Sequence, residues 1–221
     1  MRHEIKFILN DFELLKFKSW IISQTRFKKK YEPRTVNSIY FDDINDSSAN
    51  DNLAGISLRE KYRLRWYNND FDKITRFEIK KRVNRLNYKE YFDFEPSEKI
   101  SSEMTNKNYA EICHKKLLNW NPRYSFELFP KIQIQYFREY YEDINNVRLT
   151  IDNNIKFWKS LDNQKMFYGN YLSYELNIAE IKFSPDLYGY VSKLLNYTRF
   201  LPKRHSKYLI GLASFDELRY F

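Results

Sequence analysis

The sequence predicts an α+β protein: an antiparallel β-barrel with a charged lumen, its apolar exterior covered by flanking helices. The first observation behind this is the run Ser57–Tyr67, in which Arg59, Lys61, Arg63 and Arg65 fall at every second residue. In a β-strand such positions share one face, and here the other face carries Leu58, Tyr62, Leu64 and Trp66, broken only by Glu60. Four cations in register repel one another, so something polyanionic is expected to meet them. The second observation is recurrence. Arg76, Glu78, Lys80 and Arg82 align opposite Phe77 and Ile79, and Tyr136, Arg138 and Tyr140 align with one another. Arg148, Thr150 and Asp152 align opposite Leu149 and Ile151, and Glu180 and Lys182 opposite Ile181 and Phe183. The third is aromatic content, with 19 Tyr and 18 Phe in 221 residues, which suits strands. Ordinary amphipathic strands with solvated charged faces would explain any one of these segments. Five together favour a closed barrel with its charges inside, the reverse of a barrel with an apolar interior.

Each element follows in order. Residues 2–9 read as a strand with Arg2, Glu4 and Lys6 on one face. Asn10-Asp11 resembles a cap opening a helix over 12–25, where Leu14, Leu15, Phe17, Trp20, Ile21 and Ile22 have rough helical spacing. Lys28–Lys30 is expected to be a solvated charge run, 36–41 a strand and 42–52 a polar loop. Strands near 56–67 and 73–83 are joined at Asn68-Asn69-Asp70 as a hairpin, and 88–94 adds a further strand. A helix is expected over 107–120, ending before Pro122. Strands are then expected at 123–142 and 146–152, and strand, turn and strand within 168–183. Pro185-Asp186 opens a helix to about 196, and the basic knot 203–208 precedes a last short helix. No repeat or linker divides the chain, so residues 1–221 are expected to form one domain.

Composition narrows the function. The net charge of +9 favours an anionic partner: phosphate compound, nucleic acid or acidic membrane. One cysteine, Cys113, excludes an internal disulfide framework, and with three histidines no zinc-type cluster forms. Four glycines exclude a glycine-rich phosphate loop or dinucleotide fold. No secretory leader and no apolar run of membrane-spanning length is visible, so a cytoplasmic protein is expected, a membrane-bound partner remaining possible.

A lumen rich in Arg and Lys can hold several phosphates, guanidinium groups in bidentate fashion and lysines as compact charges. Glu4, Glu78, Asp152 and Glu180 could be hard oxygen ligands for Mg²⁺ or Mn²⁺, or could relieve cation repulsion as internal salt bridges. His3 and His205 are expected to form hydrogen bonds rather than to catalyse. Phosphoryl transfer rests on positioning and charge neutralisation, so such a lumen is a complete active site without a nucleophile.

The segments Val36–Asp42, Lys61–Tyr67, Phe77–Lys80, Tyr136–Tyr141, Arg148–Asp152, Glu180–Phe183 and Arg204–Tyr208, in this order, resemble the VTC (vacuolar transporter chaperone) domain over nearly the whole chain. The resemblance implies a triphosphate tunnel fold that binds ATP or another triphosphate and polyphosphate in its lumen, with Mn²⁺ or Mg²⁺. Carried across by motif, it makes Lys6, Arg63, Arg65, Lys80, Arg138, Arg148, Arg204 and Lys207 the catalytic phosphate-binding cations. Tyr136 and Ser206 would assist and Glu180 would hold the metal, while strand alternation adds Arg59, Lys61 and Lys182 as further substrate contacts. Related tunnel enzymes begin with Glu-x-Glu-x-Lys, where this chain has Arg2, Glu4 and Lys6; the arginine removes one acid and adds a phosphate contact. The expected activity is therefore polyphosphate polymerisation from ATP. A tunnel-type triphosphatase and a non-catalytic polyphosphate-binding domain need the same lumen. A nucleic-acid-binding module would instead need an open basic groove or a stacking platform.

Overall fold

A computed structural model describes residues 2–24, 26–71, 75–84, 86–94, 100–196 and 198–216. In chain order the elements are β1 (His3–Leu9), α1 (Asp11–Gln24), β2 (Lys28–Asp42), α2 (Ser47–Leu53), β3 (Leu58–Tyr67), β4 (Arg76–Val83) and β5 (Leu86–Asp93). There follow α3 (Asn106–Trp120), β6 (Phe129–Glu142), β7 (Arg148–Lys159), β8 (Leu172–Tyr174), β9 (Asn177–Phe183), α4 (Tyr188–Asn196) and α5 (Lys207–Ser214). The strands form one antiparallel sheet in the order β1-β9-β7-β6-β2-β3-β4-β5, with β8 beside β7.

The sheet curls on itself but does not close by a continuous ladder, which corrects the expectation of a fully closed barrel. Its edges β1 and β5 meet at one pair, where Arg2 and Asn87 exchange two main-chain hydrogen bonds of 3.1 and 3.2 Å. Below it, the segment 203–206 straps the seam. The Lys203 amide donates to the Lys6 carbonyl, Lys6 Nζ to the His205 carbonyl at 3.0 Å, and Lys61 Nζ on β3 to Ser206 Oγ at 2.8 Å.

The outer face is apolar and helix-covered, as expected. Ile39, Phe41, Tyr62, Leu64, Trp66, Phe77 and Ile79 pack under Tyr109, Ala110, Cys113 and Leu117 of α3. Phe7, Leu9, Leu149, Ile151, Ala179 and Ile181 pack under Phe17, Trp20 and Ile21 of α1 and Val191 of α4. Both long helices start where their sequences can cap them. Asn10 and Glu13 exchange side-chain-to-amide hydrogen bonds at α1, and Thr105 and Asn108 do so at α3.

Part of the lumen is apolar, which the alternation did not predict. Between Asn153 and Lys156, β7 holds one residue more than β6, and Asn154 takes the left-handed conformation (φ 50°). The bulge reverses the alternation, so Ile155 and Phe157 point inward where Asn154 and Lys156 otherwise would. They meet Ile132, Ile134 and Ile178 from neighbouring strands and Tyr208 and Leu212 of α5. Gly211 allows this: a Cβ there would lie 3.0 Å from Phe157 and 3.1 Å from Ile132. Thus α5 floors one end of the lumen.

Several boundaries differ. β2 begins at Lys28 rather than 36, so the lysine run is strand, still exposed. β6 begins at Phe129 rather than 123, and β8 at Leu172. The expected loop 42–52 contains α2, because the buried Asp42 carboxylate accepts from the Ser48 and Ala49 amides (2.9 and 3.0 Å) and from the Tyr208 hydroxyl at 2.7 Å. Residue 25 of the expected first helix and residues 73–74 of the expected strand lie outside the described residues.

Candidate active site in the lumen

Alternation along β1, β3, β4, β5, β6, β7 and β9 brings cations and carboxylates to the enclosed part of the inner face, and Lys207 joins them from the start of α5. The cations are Lys6, Lys61, Arg63, Arg65, Lys80, Lys89, Arg138, Lys182 and Lys207; the acids are Glu4, Glu78, Asp152 and Glu180. Arg63, Arg65, Arg138 and all the acids but Glu4 are buried.

Neighbours fix the guanidinium groups. Arg63 meets Glu78 at 2.5 Å and donates to the Tyr40 hydroxyl at 3.0 Å. Arg65 donates to Ser38 Oγ and to the Tyr136 hydroxyl, each at 3.1 Å. Arg138 binds Asp152 through two hydrogen bonds of 2.5 and 2.7 Å, and Lys207 reaches the same carboxylate at 2.5 Å. Burial opposes the charge of Asp152, yet Arg138 and Lys207 hold its carboxyl down to about 2. Burial likewise opposes ionisation of Tyr40, but Arg63, Arg65 and Lys207 bring its hydroxyl down to about 8. Burial and the adjacent Lys207 and Lys6 lower His205 to about 3, so its imidazole is neutral, and its buried Nε2 has no hydrogen-bond partner among the described residues, unlike the hydrogen-bonding role expected of it.

A second cluster surrounds two acids. Glu180 lies 3.0 Å from Lys182 and 3.8 Å from Lys6, while Glu4 lies 2.8 Å from Lys80 and 3.8 Å from Lys182. Burial raises the Glu180 carboxyl, but Lys182, Lys6 and a hydrogen bond with Glu4 carry it well below the usual range. Among the described residues, no group of three or more His, Cys, Asp or Glu side chains could hold a metal ion.

Most of the expected site residues thus converge: Lys6, Lys61, Arg63, Arg65, Lys80, Tyr136, Arg138, Glu180, Lys182, Ser206 and Lys207 line one space. Three do not lie inside it. The Arg148 side chain is half-exposed at the mouth beside Glu142, Arg204 is exposed on the strap, and Arg59 is partly exposed at the start of β3. Conversely, the expectation omitted Lys89, Ser38 and Tyr40. Lys89 pairs with Lys80 across β5 and faces Glu78 at 3.6 Å. Ser38 and Tyr40 were legible from the β2 alternation.

Lys61 and Lys89 are the strained members. Burial first, then neighbouring cations, takes each well below the ordinary lysine value. An anion beside them favours the charged form of the lysines and the neutral form of the Tyr40 phenol, so at alkaline pH tripolyphosphate binding is expected to take up protons. Calorimetry in two buffers of different ionisation enthalpy reads this directly. Uptake should shrink with Lys61→Met, and a heat independent of buffer would refute the assignment.

A curled antiparallel sheet, helices outside and facing cations inside define the triphosphate tunnel class of fold. The chain belongs to the VTC domain family, which matches it over residues 1–216. Among solved structures, the proposed adenylyl cyclase HpAC1 from Hippeastrum, described as having a dominant triphosphatase activity, is similar with a TM-score of 0.57 at 12% identity, covering 97% of this chain and 96% of that one. A proposed adenylate cyclase from Vibrio parahaemolyticus is similar with a TM-score of 0.53 at 11% identity, covering 94% and 97%. The PH1819 protein from Pyrococcus horikoshii gives 0.51 at 13%, covering 97% and 99%. These likenesses establish the fold. No curated protein matches the chain. No described helix is long and apolar enough to cross a membrane.

Proposed function

We propose that this chain transfers the γ-phosphoryl group of ATP to the end of a polyphosphate chain and releases ADP. The observation that carries the reading is the surplus of cations over carboxylates on an enclosed inner face. A linear phosphate chain supplies the missing negative charge. Arg63, Arg65 and Arg138 are already oriented by Glu78, Tyr40, Ser38, Tyr136 and Asp152, so they meet developing charge without reorganising. Lys6, Lys80, Lys182 and Lys207 neutralise the remaining phosphate oxygens, and the enclosing strands align donor and acceptor.

Glu4 and Glu180 fit a divalent cation: two hard carboxylates within hydrogen-bond reach, too few to satisfy it alone. Phosphate oxygens and water would complete the shell of Mg²⁺ or Mn²⁺. When bound there, the metal supplies charge neutralisation across phosphate oxygens.

One observation favours a second reading, hydrolysis of a triphosphate: the apolar floor of Ile134, Phe157, Tyr208 and Leu212 closes one end of the lumen. Incubation with ATP and Mn²⁺ separates them. Long-chain polyphosphate supports transfer to a chain, free phosphate alone supports hydrolysis, and tight binding without turnover supports a binding domain. In all three cases tripolyphosphate binding should weaken steeply with salt, the contacts being ionic. Failure to bind it below millimolar concentration would remove the basis of the reading, as would preferential displacement by single-stranded nucleic acid.

A further inference from the structure

We propose that Arg2, Arg59, Arg82 and Arg204 form an anion-binding track across β3, β4 and the seam between β5 and β1, which holds the part of a linear phosphate chain that the lumen does not enclose. The proposal rests on the reading of the lumen as a phosphate-chain site, and names the substrate class as a chain longer than a triphosphate.

The track is built by register. Arg59 on β3 pairs with Arg82 on β4, Arg82 with Asn87 on β5, and Asn87 with Arg2 ahead of β1. Directly paired residues share a face, and adjacent strands lie about 4.8 Å apart, so the row spans roughly 14 Å. Arg204 joins from the strap: its Nη1 lies 3.7 Å from where a Cβ on Gly55 would stand. Burial, then Arg82 and Arg204, outweigh Asp51 and hold Arg59 below its ordinary value, which places it within the field of both guanidinium groups.

The track differs from those surface cations that sit against acids, Lys30 on Glu142, Arg76 on Asp93 and Arg123 on Glu60. Among the described residues, none of the four track arginines has a carboxylate within ion-pair distance. Arg59 Nη1 donates to the Ile56 carbonyl at 2.6 Å and Arg82 Nε to the Asn84 carbonyl at 2.7 Å. Each guanidinium has five N–H donors, so most remain for a ligand. At its far end Arg2 lines a pocket of about 360 Å³ with Arg148, Lys182 and Asp186. Lys182 also touches Glu180 at 3.0 Å, so one side chain is shared between the pocket and the lumen. No aromatic ring belongs to the row, which favours a phosphate chain over a stacked nucleic acid.

Arg82 is the residue to change, because it reaches the track and none of the lumen contacts. The affinities of tripolyphosphate and of long-chain polyphosphate should be measured for the wild type, Arg82→Ser and Arg82→Glu, with melting temperatures as the check on folding. The wild type should bind the long chain more tightly. Arg82→Ser should weaken the long chain about fivefold and Arg82→Glu more than tenfold, with the salt slope reduced by about one. Tripolyphosphate should change less than twofold. Equal loss for both ligands, or unchanged long-chain binding in both variants, overturns the track and leaves the lumen reading intact. So does a wild type that binds the long chain no more tightly than tripolyphosphate. A wild type that binds neither ligand overturns the lumen reading and the track together. If a single-stranded oligonucleotide of equal charge binds more tightly than polyphosphate and shows the same losses, the seam is a nucleic-acid surface and the proposal fails.

Discussion

Asp152→Ala is expected to destabilise the protein by about 3–5 kcal/mol, the scale for removing one partner of a buried ion pair. Asp152 is fully buried, and it is the counter-ion of both Arg138 and Lys207. Without it the buried Arg138 and the partly buried Lys207 face each other without their counter-ion. For a chain of this size the loss corresponds to a fall in melting temperature of roughly 10 °C. Saturating tripolyphosphate should restore part of the loss, because an anion in the lumen replaces the missing charge. The same carboxylate sets an acid limit. Its folded value of about 2 lies below the unfolded value near 4, so its contribution is complete above that value and is lost as pH falls toward 2. Thermal melts with and without tripolyphosphate test both statements. A loss of less than about 1 kcal/mol, or no rescue by ligand, would mean that the triad does not face the ligand.

Glu180→Gln is expected to cut metal-dependent turnover by at least a hundredfold, about the scale of losing one contact made to the transition state. Binding should move the other way. Removing a negative charge beside Lys6 and Lys182 leaves the lumen more positive, so tripolyphosphate should bind at least as tightly in the absence of metal. A residue needed only for folding would not separate turnover from affinity in this manner. Arg65→Ala should reduce turnover by a similar factor while also weakening binding. Near-normal turnover by Glu180→Gln would transfer the metal-holding role to another carboxylate, with Glu4 first to be tested.

Strict period-two alternation is what made the site legible. On β3, β4 and β9 the register has no bulge, so the face of Arg63 and Arg65, that of Glu78 and Lys80, and that of Glu180 and Lys182 followed directly from counting. The apolar floor was hidden because the Asn154 bulge shifts the count by one, and a backbone irregularity at one asparagine leaves no periodic trace. Lys89 was hidden for a different reason. In Leu86–Asp93, charged and aromatic residues occur on both faces, so nothing in the strand marks which side turns inward. The short helix α2 has a polar sequence, and its start is held by Asp42 from a neighbouring strand, a tertiary contact that local propensity does not register.

The order of strands has a consequence for how the chain acquires its shape. β1 is made early, yet its only ladder partner is β9: the Asn177 side chain meets the Leu9 carbonyl across a separation of 168 residues. Until β9 is available, β1 presents an unpaired edge, and the outward faces of Phe7 and Leu9 lack part of their packing. Loop closure over so long a segment must precede any gain from those contacts, which slows folding and lengthens the interval in which strands can pair with other chains. The intermediate strands assemble mostly with sequence neighbours, β3 with β4, β4 with β5 and β6 with β7. The route that follows is a partial sheet first and the seam last. During growth of the chain, the hazard is therefore association through the unpaired edges of β1 and β5.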